Sequence, residues 1–450
     1  MSQNNHFSFV SHVKDILSGF PDAGTCWIAF SGGLDSHVLL HTLSLIKNEI
    51  KPELVAVHVN HGLSRYAESW QKHCQSVCEN HAIKFLTFTI DIAQKSNKGT
   101  EAFAREKRYE IFANLMMEHD LLLTAHHLND QAETMLLQLI RGSGPDGLAG
   151  MPQSREFSNG FLVRPLLDYS REEIHEYALK ESLHWVEDES NKSNQYDRNY
   201  LRNEIIPGLL TRWPGALKTI RRATRHQADA RSLINEIAEN DLETVCGDEW
   251  SKINLTEFGK LSLIREKNVL RAWIKRNHME IPNAQIIEKI NDEVIHANSE
   301  KNPCIKWEGG EIRRYRGFLY VMRPLSIHDV KTTIIWDLKK TLSLTSGYLK
   351  ADLSKGHGIR REMISSDSVE IRYRQGGEKI RPSGRDHTHE LKKLYQDEGV
   401  LPWLRDRIPL IYFENELIAV GDLWIEHKYT VSQSESGWKI KWAWMLDGPD

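Results

Sequence analysis

A six-residue turn near the start of the chain, Ser31-Gly32-Gly33-Leu34-Asp35-Ser36, constrains the fold more than any other stretch. Before it runs Thr25-Cys26-Trp27-Ile28-Ala29-Phe30, mostly apolar, which reads as a buried strand of a parallel sheet. After it, Leu39, Leu43 and Ile46 recur at i, i+4 and i+7, the spacing of a helix that lays one face on a sheet. Strand, glycine pair and helix start together make an anion site. Glycine lets backbone N–H groups approach a phosphate closely, and the helix N-terminus adds partial positive charge. The glycines alone could serve only to turn the chain. The loop lacks the length and the Lys-Ser/Thr ending of a Walker A loop, which excludes an ordinary P-loop. It offers instead two serines and Asp35, suited to an oxygen-rich triphosphate and its metal ion.

At all six positions this turn resembles the S-G-G-x-D-S signature of the PP-loop ATP pyrophosphatases. The resemblance implies a loop that holds the pyrophosphate of ATP while AMP passes to a substrate oxygen. At 450 residues two or three domains are expected, and 40% hydrophobic content is enough for real cores. No run of about 18 apolar residues suggests a membrane span, and the start of the chain lacks the pattern of a secretory leader. Five widely spread cysteines argue for a reducing compartment, so the cytoplasm is expected. The formal charge of −4 means that nucleic-acid binding would have to come from local patches.

Strand patterns at Leu54–Val59, Ile83–Ile90, Asp120–Thr124 and Phe161–Leu166 alternate with helical ones, such as Tyr109, Phe112 and Met116 on one face. That alternation predicts an α/β fold with a doubly wound parallel sheet. Ligands then bind beyond the carboxyl ends of the strands, where Ser31, His58 and His126 fall. Cys74 and Cys78 read as small core residues on a helix from Trp70 to His81, since no second pair completes a metal site.

The second chemical stretch is His126-His127-Leu128-Asn129-Asp130-Gln131-Ala132-Glu133-Thr134. Asp130 and Glu133 fit a capping box, which needs no function, and the following helix should bury Ala132, Met135, Leu136 and Leu139. His126, Asp130, Glu133 and Thr134 match H-x-x-x-D-x-x-E-T, and here the chain resembles the tRNA(Ile)-lysidine synthetases, one branch of the PP-loop enzymes. Asn129 departs from the acid usual at that position. Further matches are Thr100-Glu101-Ala102-Phe103-Ala104-Arg105 with Arg108-Tyr109, the glycines from Arg141 to Gly150, Asp188-Glu189-Ser190-Asn191, and Arg198-Asn199-Tyr200-Leu201-Arg202-Asn203. Ser170 and Glu173 form a further capping box.

Around Trp213-Pro214-Gly215 the pattern turns to long helices, and the stretch to about Tyr320 reads as helical with one closing strand, Phe318–Met322. Lys218, Arg221, Arg222 and Arg225 share one helix face, as an RNA backbone would require. From about Ile334 the runs alternate, which predicts a small mixed β-containing domain. Its segment from Arg372 to Arg385 holds five basic residues against Glu378 alone. With Pro402-Trp403-Leu404-Arg405 and Ala419-Val420-Gly421-Asp422 it resembles the C-terminal domain of the same synthetases. The expected division is therefore 1–213 for the PP-loop catalytic domain, 214–330 for a helical tRNA-binding domain and 331–450 for C-terminal tRNA recognition.

The resemblance implies ATP-dependent attachment of L-lysine to C2 of the wobble cytidine in a tRNA(Ile) with a CAU anticodon, through an adenylated cytidine. Implied catalytic residues are Asp35, His126, Asp130 and Glu133. Implied ATP contacts are Ser31, Gly32, Gly33, Leu34, Asp35, Ser36, His58 and Arg105, with Mg2+ on Asp35 and Asp130. Arg198, Arg202, Lys218, Arg221, Arg222, Arg225, Arg372, Arg374, Arg381 and Arg385 are the expected tRNA contacts. If the last four were structural, surface acids such as Asp386 and Glu390 would pair with them. A tRNA 2-thiolation enzyme would share the adenylation step but use C-x-x-C cysteine pairs, which this chain lacks. A non-catalytic tRNA-binding protein would have no need of an intact loop and second motif.

Overall fold

The computed structural model describes residues 3–60, 66–90, 100–187, 193–296, 303–365 and 369–444. Two compact units divide the chain, Met1–Ile234 and Asn235–Asp450. The expected D-x-S-N element, Asp188 to Asn191, lies outside the described residues, as do His61 and Gly62.

The first unit is built on a six-stranded sheet. Its strands are β1 (Thr25–Ala29), β2 (Glu53–Asn60), β3 (Lys84–Thr89), β4 (Leu121–Leu123), β5 (Ser154–Phe157) and β6 (Gly160–Val163), in the order β3-β2-β1-β4-β6-β5. Neighbours run parallel except β5, which pairs antiparallel with β6. That edge strand was not expected from its sequence. Ser154-Arg155-Glu156-Phe157 is polar and mostly exposed, so it carries no apolar signal.

Alternate residues of β1 feed two cores. Cys26 and Ile28 pack with helices α1 (Gln3–Ser18), α2 (Leu34–Ile46) and α3 (Ala67–Asn80) on one face. Trp27 and Ala29 pack with Phe112 and Met116 on the other, where α4 (Thr100–Leu115) lies. Chain order reverses direction at β1, whose neighbours are β2 and β4. The crevice beyond the carboxyl ends of β1 and β4 is therefore the place for a ligand in such a sheet. Both motifs singled out in the sequence leave the sheet there.

After β4 come α5 (Leu128–Ile140), α6 (Pro145–Leu148) and α7 (Arg171–Lys180). The latter is capped as expected: Ser170 Oγ accepts from Glu173 N at 3.2 Å, and Ser170 N donates to the Glu173 carboxylate at 2.7 Å. The short helix α8 (Asp197–Tyr200) continues through a π-helical turn (Leu201–Ile205) into α9 (Ile206–Arg212), and the long α10 (Ala216–Cys246) follows. Ile206, Leu210, Leu217 and Ile220 pack on Leu128, Ala132 and Leu136 of α5, which fixes the arginine-bearing turn over that helix. Leu139, expected in the buried stripe, is exposed instead. The first turn of α5 buries polar residues in its place, for reasons that lie in the site.

In the second unit the region expected to be helical carries a four-stranded antiparallel sheet of Lys252–Asn254, Phe318–Met322, Gly310–Tyr315 and Cys304–Trp307. Its helices bury Leu270, Trp273 and Ile290 against Ile312 and Leu319. Three of its strands escaped the sequence reading because they are short and charge-interrupted, as in Gly310-Glu311-Ile312-Arg313-Arg314-Tyr315. Beyond Ile334 stand a five-stranded and a four-stranded sheet with short helices, the mixed β-containing arrangement expected. Among the described residues no helix is long and apolar enough to cross a membrane.

Candidate active site

The loop from Ser31 to Ser36 is held by its own hydroxyls. Ser31 and Ser36 Oγ atoms lie 3.0 Å apart, Ser36 Oγ donates to the Gly33 carbonyl at 3.0 Å, and Gly33 N donates to Ser31 Oγ at 3.3 Å. Gly32 sits at φ +81°, where a side chain is strained. Gly33 caps α2 without any side-chain acceptor, so the first N–H groups of that helix have no side chain to satisfy them. An anion is the natural partner. Leu34 turns its side chain into the core and offers only backbone, whereas Asp35 points out, with a third of its side chain accessible.

Asp35 meets the second motif through His127, which is not among the expected site residues. His127 is buried at the cap of α5, its Nε2 3.6 Å from Asp35 Oδ2 and 3.4 Å from Asp130 Oδ2. Burial works against charging this imidazole, but the two carboxylates outweigh it and its pKa is raised. Its place at a helix cap between two acidic motif positions was the signal available. Asp35 Oδ1 is buried and has no hydrogen-bond partner.

Of the two acids expected at a capping box, Asp130 does cap α5, while Glu133 does other work. His127 is the N-cap residue, and Asp130 Oδ2 accepts from His127 N at 3.0 Å. Glu133 is wholly buried and takes Arg198 Nε at 2.7 Å, Arg202 Nε at 2.7 Å and Arg202 Nη2 at 3.0 Å. Asp130 Oδ1 receives Arg198 Nη2 at 3.0 Å and Arg202 Nη2 at 2.9 Å. The Arg198 and Arg202 side chains still keep 32% and 26% of their surface, so they close the network and face outward too. Burial would raise the Asp130 carboxyl, but His127 and the guanidiniums hold it well below the usual carboxylate range. Asn129, where an acid was expected, accepts from Arg171 N at 3.0 Å and so ties α5 to the start of α7.

Around this cluster gather more arginines. Arg105 is exposed over the Tyr109 ring at 5.3 Å, and Arg108 approaches the same ring at 5.7 Å. Burial, with Arg105 and Arg198 close by, lowers the Arg108 pKa. Arg164 is buried and donates to the Pro152 carbonyl at 2.7 Å; burial with Arg155 and Arg105 near pushes its pKa down to about 10. Like charges crowded this way favour an anionic ligand. Gln131 binds the Met151 backbone twice, at 2.9 and 2.7 Å, and packs under Gly150 at φ +61°, which sets the glycine-rich loop beside the site.

His126 lies 2.9 Å from the Thr124 hydroxyl through Nδ1. Burial, with Arg164, Arg198 and Arg105 adding and Asp130 opposing, pushes its pKa down to about 3, so the ring is neutral at pH 7. A His whose folded pKa is depressed loses stability as pH falls below its unfolded value, because the unfolded chain then takes the proton first. His126→Asn should therefore flatten the decline of melting temperature between pH 6.5 and about 3, and leave melting above pH 7 nearly unchanged. An identical acid limb in both proteins would remove this role.

His58 is buried, and its Nδ1 lies 3.0 Å from the carbonyl of Phe30, the residue before the loop. Of the basic stripe on α10, Arg221 donates to Asp168 Oδ1 at 2.7 Å, while Lys218, Arg222 and Arg225 are exposed. In the second unit the four expected arginines all have protein partners. Arg372 binds Glu370 and Asn415, Arg374 binds Asp406 at 2.9 Å, Arg381 Nε donates to the Arg385 carbonyl at 3.2 Å, and Arg385 lies 3.9 Å from Asp397. The acids involved are Glu370, Asp406 and Asp397, not Asp386 and Glu390. All five cysteines are free, and Cys74 and Cys78 are core residues as read.

Three family models match the chain. One described as a PP-loop domain covers residues 6–209, one described as the TilS substrate binding domain covers 254–320, and one described as the TilS substrate C-terminal domain covers 369–442. The tRNA(Ile)-lysidine synthase of Coxiella burnetii is 41% identical over 416 residues, 92% of this chain and 92% of its own. That of Methylococcus capsulatus is 35% identical over 434 residues, 96% of this chain and 99% of its own. Among solved structures, the U34-tRNA thiolase NcsA of Methanococcus maripaludis matches 49% of this chain and 78% of its own at 19% identity and a TM-score of 0.42, a likeness too low to bear on activity.

Proposed function

The chain belongs to the tRNA(Ile)-lysidine synthase family, and from that premise we propose which residues carry the reaction and how. It is a ligase that uses ATP to form lysidine in tRNA(Ile). The observation that carries the residue assignment is the meeting of two distant motifs: Asp35 of the phosphate loop stands 3.6 Å from His127, which leads the helix bearing Asp130 and Glu133.

In the proposed course, O2 of the wobble cytidine of a CAU anticodon attacks the α-phosphorus of ATP, and pyrophosphate leaves. The ε-amine of L-lysine then attacks C2, the C2–O bond breaks, AMP departs and the amine loses a proton. A pyrimidine carbonyl oxygen is a poor leaving group until it bears AMP. Ser31 to Ser36 and the open start of α2 receive the departing pyrophosphate. Arg198 and Arg202, oriented by Glu133 and Asp130, and the exposed Arg105 present guanidinium to phosphate. The free Asp35 oxygen fits Mg2+, which when bound would draw off charge from the phosphates. Asp130 has both oxygens engaged by protein N–H groups, so its part in metal binding is subordinate to holding the arginines. Neutral His126, its pKa pushed down to about 3 by burial, is a weak base near pH 7 and is suited to hydrogen-bond the reacting base rather than to take its proton. The anticodon base must leave its stack to reach this crevice.

Residues 1–213 are assigned to ATP and chemistry, 214–330 and 331–450 to tRNA, and the cytoplasm to the protein. On α10 the exposed Lys218, Arg222 and Arg225 are the phosphate contacts, and Arg221 is committed to Asp168. Each true contact replaced by Ala should lower the slope of log affinity against log salt by roughly one. Arg221→Ala and the paired Arg372, Arg374, Arg381 and Arg385 should move it less. Equal slopes for Arg221→Ala and Arg222→Ala would overturn that division.

One incubation tests the whole reading: protein, ATP, radiolabelled lysine and tRNA(Ile). Label in RNA, with one AMP and one pyrophosphate released per label, is the expected result. Pyrophosphate release without label would point to another nucleophile, as in thiolation. Neither product would leave a tRNA-binding protein.

A further inference from the structure

Two side chains beneath the phosphate loop are unused by the scheme above. Cys74, on α3, is wholly buried, and a Cβ placed on Gly32 would lie 2.7 Å from its Sγ. The thiol therefore rests directly on the Gly32 backbone. On its other side the Gly32 carbonyl accepts Val186 N at 3.0 Å. His58 reaches the same place from the end of β2. Its Nδ1 lies 3.0 Å from the Phe30 carbonyl and 3.6 Å from Cys74 Sγ.

A carbonyl can only accept, so Nδ1 of His58 carries the proton, and the sulfur meets that N–H as a second acceptor. The peptides on both sides of Ser31 are thus gripped, Phe30 by His58 and Gly32 between Cys74 and Val186. Neither support carries charge: burial pushes the Cys74 thiol up to about 12, and burial lowers the His58 pKa although its bond to Phe30 opposes this. A charge here would either repel the triphosphate or bind it in the wrong place.

We propose that Cys74 and His58 are positioning residues for ATP that touch no substrate and act through the loop, Cys74 by its volume and His58 by its hydrogen bond. The inference rests on reading Ser31 to Ser36 as the ATP site, and it moves His58 from contact to support. It makes position 74 size-limited. Ser is nearly isosteric with Cys, whereas Val adds a branch to a side chain that is wholly buried and already against the Gly32 backbone. Asn at position 58 can place an N–H near that of Nδ1, and Ala cannot.

The experiment compares Cys74→Ser, Cys74→Val, His58→Asn and His58→Ala in the full chain. It measures ATP dissociation constants by calorimetry without tRNA, KM for ATP and for tRNA, and melting temperature. Cys74→Val should weaken ATP about tenfold with KM for tRNA unchanged, and Cys74→Ser should stay within about twofold. His58→Asn should bind ATP more tightly than His58→Ala. Unchanged ATP affinity in Cys74→Val, or equal losses in the Ser and Val variants, would overturn the proposal. If the Val variant fails to fold, Cys74→Ala should weaken ATP about threefold by removing the support, and full affinity there overturns it equally. ATP binding without label transfer from lysine would count against the lysidine scheme alone. Absence of ATP binding in the unaltered protein would overturn the loop assignment and this inference together.

Discussion

Asp35→Ala is expected to lower tRNA-dependent AMP formation by roughly a thousandfold, about 4 kcal/mol of transition-state stabilisation. The reason is an asymmetry in the carboxylate. Oδ2 leans toward His127, but Oδ1 is buried and has no protein partner. An unsatisfied anionic oxygen is costly to keep unless something in the working state meets it. The phosphate loop beside it makes a metal-bound triphosphate the natural partner. Because Oδ1 holds nothing in the folded chain and only the 3.6 Å contact of Oδ2 with His127 is lost, the melting temperature should fall far less than turnover does. Near-normal turnover in a well-folded Asp35→Ala protein would remove Asp35 from the chemistry. Loss of turnover with an equally large loss of stability would make it structural.

The second large effect is expected from Glu133→Gln. A helix cap there would cost about 1 kcal/mol or less. The structure places Glu133 elsewhere, fully buried and taking three N–H groups from Arg198 and Arg202. Glutamine keeps one acceptor oxygen and turns an NH2 group against a guanidinium. Breaking a buried pair by removing one charge costs about 3–5 kcal/mol, because the partner charge stays behind. The guanidiniums keep 26–32% of their surface, so water relieves part of this and the lower end is expected. A loss near 3 kcal/mol in a unit of this size should lower the apparent melting temperature by roughly 6–12 °C. AMP formation should fall as well, about tenfold or more, because the proposed phosphate contacts of Arg198 and Arg202 depend on Glu133 holding them in place. If only turnover falls and melting is unchanged, Glu133 meets substrate directly. If neither moves, the cluster does not hold the arginines.

Much of the site was legible because its chemistry is local. Ser31 to Ser36 announces an anion loop through glycines that must sit at a helix start, and Ser170 with Glu173 announces a helix cap, whatever the rest of the chain does. The sheet's interior strands were equally plain, since burial on both faces demands continuous apolar runs such as Leu121-Leu122-Leu123. Tertiary structure decided what those residues meet. Nothing in the spacing of Asp130 and Glu133 says that Arg198 and Arg202 close on them, that His127 bridges to Asp35, or that a thiol props Gly32. The partners are distant in sequence, and only the reversal of strand order at β1 brings them to one crevice. The same limit hid the sheet of the second unit, where Lys252–Asn254 pairs with Phe318–Met322 across a long helical stretch. It also hid the partners of the C-terminal arginines. A lone arginine reads identically whether it waits for phosphate or holds Asp406, because charge pairing is chosen by distance in space.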